Sequence, residues 1–103
     1  MEQFRQSFRT ESAELLSEME ERLVALDPAS TEREPLHAIF RCAHSIKGSA
    51  GAFGFAKVVA FTHVLETLLD GMREGRVRVT AEAVSALLKS VDVARTLIRW
   101  QND

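Results

Sequence analysis

Apolar residues return at helical spacing in four successive stretches, and nowhere do they alternate over a run long enough to make a strand pair. That periodicity restricts the chain to helices packed on helices. In the first stretch, about residues 2–26, Phe4, Phe8, Leu15, Met19, Leu23 and Leu26 fall at steps of three, four or seven, while Glu11, Glu14, Glu18, Glu20 and Glu21 mostly lie elsewhere. Such a helix is amphipathic. It should stop at Asp27-Pro28-Ala29-Ser30, because proline holds the residue before it extended and Asp and Ser favour turns.

The second stretch, about 32–53, can start at Thr31 as a cap paired with Glu34, or one turn later with Pro35 in the first helical position. Leu36, Ile39, Phe40, Ala43, Ile46, Ala50 and Phe53 form its stripe. The run from Gly51 to Gly54 ends it, the last glycine taking the left-handed conformation that closes a helix. The third, about 55–74, is apolar on more than one side through Val58, Val59, Phe61, Val64, Leu65, Leu68, Leu69 and Met72, which predicts a central helix with neighbours on two faces. Gly75 and a short extended Arg76-Val-Arg-Val79 lead to Thr80, an N-cap with Glu82 in the first turn of a last helix, about 80–100, bearing Val84, Leu87, Leu88, Val91, Ala94 and Ile98. Short connections favour antiparallel neighbours, so the fold class is all-α, a single-domain antiparallel up-down four-helix bundle.

Fifteen acidic and 13 basic side chains are interspersed for a formal net charge of −2. A domain that neutralises phosphates along a nucleic acid carries a basic excess or stripe, so no nucleic-acid partner is expected. Cys42 is the one cysteine and has no disulfide partner within the chain, which fits a reducing, cytoplasmic setting. No apolar stretch approaches the ~20 residues that cross a bilayer, and the start Met1-Glu2-Gln3-Phe4-Arg5 lacks the pattern of a signal peptide. No membrane partner is expected, and the domain should act as a monomer.

His44 stands outside the stripe of the second helix, roughly 120° from its centre. Within about 60° of it around the helix lie His37, Phe40, Arg41, Lys47, Gly48 and Gly51. Each helical glycine costs roughly 1 kcal/mol against alanine, so a compensating reason is expected. Gly48, one turn beyond His44, leaves room for another protein to approach the imidazole edge. Lys47 and Arg41 can neutralise an anion brought to that histidine. Histidine, with an ordinary pKa of ~6.5, keeps a lone pair at neutral pH and is a competent nucleophile. A lone histidine on a helix is also commonly a solvated surface residue, and small neighbours also serve close helix packing; spacing alone leaves both open.

His63 and Glu66 share a face of the third helix. If that face meets the second helix, Glu66 can hold one nitrogen of His44 protonated; otherwise the pair makes a local surface hydrogen bond. A metal centre is poorly supported, because the chain has a single His-x-x-Glu pair, and His37 and His44 lie two turns, about 10 Å, apart. Cys42 sits at the core margin without a basic partner, so no nucleophilic thiol is expected.

The stretch Phe40-Arg-Cys-Ala-His44-Ser-Ile-Lys47-Gly48-Ser-Ala-Gly51-Ala-Phe-Gly54-Phe55 closely resembles the signature of histidine phosphotransfer (HPt) domains, with its His-x-x-Lys-Gly core. Thr62-His63-Val-Leu-Glu66-Thr-Leu-Leu-Asp70 and the first helix, Phe8 through Met19-Glu20, are similar to HPt domains that open chemotaxis-type histidine kinases. The resemblance covers nearly the whole chain. It departs in two respects: family members often continue into a fifth helix, expected here to be absent or removed with downstream domains, and Ser49 follows Gly48 where glycine or threonine is usual.

The resemblance implies that His44 is phosphorylated at Nε2, that Glu66 binds its Nδ1, that Lys47 and His63 support this network, and that Gly48 permits access. His37, Phe40, Arg41, Gly48 and Gly51 would meet partners. Those implied are a kinase catalytic domain, in the same chain or another, and a response-regulator receiver domain of the CheY or CheB kind. The domain itself would be a phosphocarrier rather than an enzyme, within a parent histidine kinase. It would bind no cofactor, because ATP and Mg²⁺ belong to the partners. A dimeric sensor-kinase hairpin also presents a phosphohistidine, but usually with an acidic residue where Ser45 stands, and with two helices rather than four. A structural helical adaptor without phosphotransfer is the remaining alternative.

Overall fold

The computed structural model describes residues 2–100. Four helices, α1 (Glu2–Ala25), α2 (Glu34–Ala52), α3 (Ala56–Arg73) and α4 (Ala81–Arg99), run in chain order. Consecutive helices are packed together and α1 also lies against α4, which closes an up-down bundle of 45 × 21 × 20 Å, one helix long and two wide. Among the described residues no helix is long and apolar enough to cross a membrane. The expected absence of a fifth helix concerns residues 101–103 and beyond, outside the described residues.

The core is filled by one stripe from each helix: Phe8, Leu16, Met19 and Leu23 of α1, Ile39 and Ile46 of α2, Val58 and Leu69 of α3, and Leu87 and Val91 of α4. Full burial of side chains of this size is worth about 1.5–3 kcal/mol each before entropy is counted. On α1 the buried line runs through Leu16 rather than Leu15, and Phe4, expected in the stripe, is 52% exposed. The third helix has neighbours on two faces, α2 and α4, as expected. Of its wider apolar surface, Val59, Phe61 and Leu68 pack against the core, whereas Val64, expected in it, is 65% exposed.

The start of α2 also differs from the Thr31 cap and from the boundary at 32. Its N-cap is Arg33, without a side-chain cap, and Pro35 lies in the first turn. A start at residue 32 would push the proline toward the helix interior, where its missing N–H and its ring are costly. The polar side chains shape the linker instead: Asp27 Oδ1 accepts from Ala29 N at 3.0 Å and Ser30 Oγ from Glu32 N at 3.1 Å. The guanidinium of Arg33 donates to the carbonyl of Arg73, fastening the entry of α2 to the negative end of α3.

The other boundaries follow the residues expected to set them. Thr80 Oγ1 accepts from Ala83 N at 3.0 Å and caps α4. Gly54 and Gly75 have φ of +75° and +81°. Beside them Phe55 N donates to Ala50 O at 2.9 Å and Arg76 N to Gly71 O at 2.8 Å, the six-to-one bonds of a Schellman ending. At the α2–α3 turn, Phe8 lies 5.6 Å from Phe53 and 5.1 Å from Phe55 between ring centroids, so an α1 side chain pins the turn. This fixes which face of α3 is turned toward α2.

Candidate functional site

That face carries Glu66, buried in the α2–α3 seam. His44 Nδ1 is 2.6 Å from Glu66 Oε2, and Lys47 Nζ donates to Glu66 Oε1. One carboxylate therefore joins two side chains a turn apart on α2. Burial pushes the Glu66 carboxyl up, but hydrogen bonds from Lys47 and His44 outweigh it and hold the group below its ordinary range. An ionised carboxylate has only acceptors, so the hydrogen between it and His44 belongs to Nδ1. In the neutral ring the lone pair then sits on Nε2.

The rest of the imidazole faces outward. Its side chain is 66% exposed, against 24% for Lys47 and 10% for Glu66. A methyl group built on Gly48 would meet nothing within 4 Å, and one on Gly51 only a Val59 methyl at 4.0 Å. Close packing does not account for Gly48. Its lack of a side chain lowers the surface beside the imidazole, at a cost to the helix.

Phe40, one turn before His44, is half-buried with its ring nearly parallel to the imidazole, at 10° between planes and 6.1 Å between centroids. The guanidinium carbon of Arg73 lies 3.7 Å above the centre of the Phe40 ring. Arg73 Nε in turn donates to Asp70 Oδ1 at 2.8 Å. Phe40, His63, Glu66, Thr67, Asp70 and Arg73 line a shallow groove beside His44.

Two expected members of the site are placed otherwise. Arg41 donates to Glu34 Oε1 at 2.9 Å, an acidic partner two turns back on its own helix, and lines the α1–α2 side with Glu18 and Cys42. The cation on the groove beside His44 is Arg73, which sequence reasoning missed. His63, Glu66, Asp70 and Arg73 recur at steps of three and four, a spacing that marks one helical face. His63 lies on this groove, but among the described residues no hydrogen bond joins it to Glu66, whose two oxygens are taken by His44 and Lys47. His37 is half-buried, two turns from His44 and within electrostatic reach of Glu34.

Cys42 is buried, and desolvation, reinforced by Glu18, pushes its thiol up to about 11. It should resist iodoacetamide at pH 8 in the folded protein and react on unfolding in urea; mass spectrometry of the two samples checks this. Among the described residues no three His, Cys, Asp or Glu side chains gather to hold a metal ion.

Comparisons with known proteins converge on one family. Residues 3–97 match the family model described as Hpt domain. The chemotaxis protein CheA of Klebsiella aerogenes is 48% identical over 90 residues, which cover 87% of this chain and 14% of that protein. CheA of Rhizobium meliloti is 38% identical over 103 residues, the whole of this chain and 14% of the relative. The chain thus spans about one seventh of the length of these curated relatives. Among solved structures, the CheA phosphotransferase domain from Thermotoga maritima superposes with a TM-score of 0.87 at 26% identity, covering 94% of this chain and 92% of that one. The phosphorylated P1 domain of CheA3, in complex with CheY6 from R. sphaeroides, gives 0.86 at 26% identity, covering 96% of this chain and 77% of that one.

Proposed function

The chain belongs to the Hpt domain family, and on that premise we propose that His44 is a relay point for phosphoryl groups between a histidine kinase and a response regulator. The observation that carries this is the single carboxylate, Glu66, binding Nδ1 of an imidazole whose opposite edge is open. Nε2 attacks the γ-phosphorus of ATP held by the kinase domain, the bond from that phosphorus to the β–γ bridging oxygen breaks, and ADP leaves. Positive charge developing on the ring is balanced by Glu66, and Lys47 keeps that carboxylate in place.

In the second step an aspartate of a receiver domain attacks the same phosphorus and the N–P bond breaks, returning neutral His44. The partners supply ATP and Mg²⁺; the metal neutralises charge on the transferring group. This chain supplies a positioned nucleophile, and its parent is a histidine protein kinase of the chemotaxis type. The receiver domain is of the CheY or CheB kind. A relative whose P1 domain is complexed with CheY6 supports the pairing with a receiver, and the CheA relatives support a chemotaxis kinase as parent.

The direct test is to incubate the domain with a CheA catalytic domain and labelled ATP, then with a receiver domain. Acid-labile, alkali-stable label that moves to the receiver is expected; a domain that takes up no label would refute the proposal. Gly48→Leu probes the access face separately. With nothing within 4 Å of the added Cβ, the variant should be more stable by roughly 1 kcal/mol in a urea melt, yet transfer to the receiver should slow at least tenfold. Transfer at the wild-type rate would remove Gly48 from the partner surface.

A further inference from the structure

The carboxylate that holds His44 acts in the plane of the imidazole, through Nδ1. A hydrogen bond tolerates some 30° of misalignment, so Glu66 alone leaves the ring free to tilt. In-line transfer requires the Nε2 lone pair to point at phosphorus, and small misplacements are costly. A second restraint, perpendicular to the first, is present in the Phe40 ring, whose parallel, offset placement beside the imidazole lies within the favourable range for such pairs.

Phe40 is itself held. The Arg73 guanidinium lies over its face, and cannot swing freely, because Arg73 Nε is bound to one oxygen of Asp70 while Arg76 donates to the other at 3.4 Å. The Arg73 hydrogen bond is the main cause holding the Asp70 carboxyl below its ordinary range. Glu66, Asp70 and Arg73 lie on one face of α3, so this helix holds the imidazole directly through Glu66 and, through Arg73, steadies the Phe40 ring that α2 itself supplies.

We propose that Arg73 is a positioning residue for the phosphoacceptor: stacked on Phe40, it steadies the wall that keeps the His44 ring from tilting and so aims Nε2. The role rests on the phosphotransfer reading of His44 and extends the machinery to a residue that need not touch the phosphoryl group.

The test compares wild type, Arg73→Leu, Phe40→Leu and the double variant, each checked by circular dichroism, with Arg73→Gln in reserve should leucine impair folding. With a CheA catalytic domain and ATP, Arg73→Leu should lower the saturating phosphorylation rate about threefold and leave the half-saturating concentration of the domain unchanged. In the Phe40→Leu background it should have no further effect. Equal losses in both backgrounds, or a change confined to the half-saturating concentration, would overturn the proposal and make Arg73 a docking residue. Nuclear Overhauser contacts between the His44 and Phe40 rings test the stacking without any kinase: they should weaken in Arg73→Leu, and unchanged contacts refute it. If wild type takes up no phosphate, phosphotransfer fails and this spectroscopic comparison still decides the stacking.

Discussion

His44→Gln abolishes phosphorylation by a CheA catalytic domain and ATP while leaving helicity and melting temperature within error of wild type. Glutamine preserves polarity and approximate length but has no nucleophilic nitrogen, so the loss is of chemistry rather than degree. Stability is spared because the imidazole is 66% exposed and contributes little to the core. Labelling with radioactive ATP, beside a thermal melt of the same sample, checks both halves. Label on the variant would transfer the acceptor role to His37 or His63.

Glu66→Ala should lower the phosphorylation rate about ten- to a hundredfold, by analogy with the loss when the group that orients a metal-ligating histidine is removed. The fold should survive with a loss of about 1 kcal/mol, since His44 is already largely solvated and Lys47 can turn outward. Glu66→Gln adds a pH signature. A carboxyl whose folded pKa is depressed stabilises the protein fully above its unfolded value, and that stability fades as pH falls through the folded one. The difference in melting temperature between wild type and Glu66→Gln should therefore be constant above the ordinary carboxylate pKa of 4.5 and shrink below it. An equal difference at pH 7 and pH 3, or an unchanged rate in Glu66→Ala, would reduce Glu66 to a packing residue.

The helices were legible because burial on one side leaves a 3.6-residue period in the sequence, and their ends because Gly54, Gly75 and Thr80 act within a turn of their own positions. Errors arose where local signals competed. Thr31 and Pro35 both announce a helix start, and the proline prevails because its backbone restriction is covalent. Leu15 and Leu16 are adjacent on α1, and which one lies inside depends on helix rotation by less than a residue step.

The site was harder to read for a similar reason. Each helix's period locates His44 and Glu66 on their own cylinders, but whether the two faces meet depends on the rotation of one helix against the other. Only the resemblance to HPt domains implies that the two faces meet; spacing does not. Arg41 was misplaced because a long cation is claimed by whichever anion shares its face, here Glu34. The spacing of Arg73 places it on the Glu66 face of α3, but its contact with Phe40 crosses between helices, and local pattern does not name a partner on another helix.

The three-ring clasp of Phe8, Phe53 and Phe55 over the α2–α3 turn gives the chain a fixed gauge length. His44 and Glu66 are 22 positions apart with no slack between them. One residue inserted within 53–55 would turn α3 by about 100° and carry Glu66 out of the seam, whereas the same insertion within 27–33 lies outside the interval entirely. Mutational tolerance should thus be unequal among the loops: the longer connections can drift in length, and the shortest acts as a calibrated spacer whose length is set by chemistry rather than by packing.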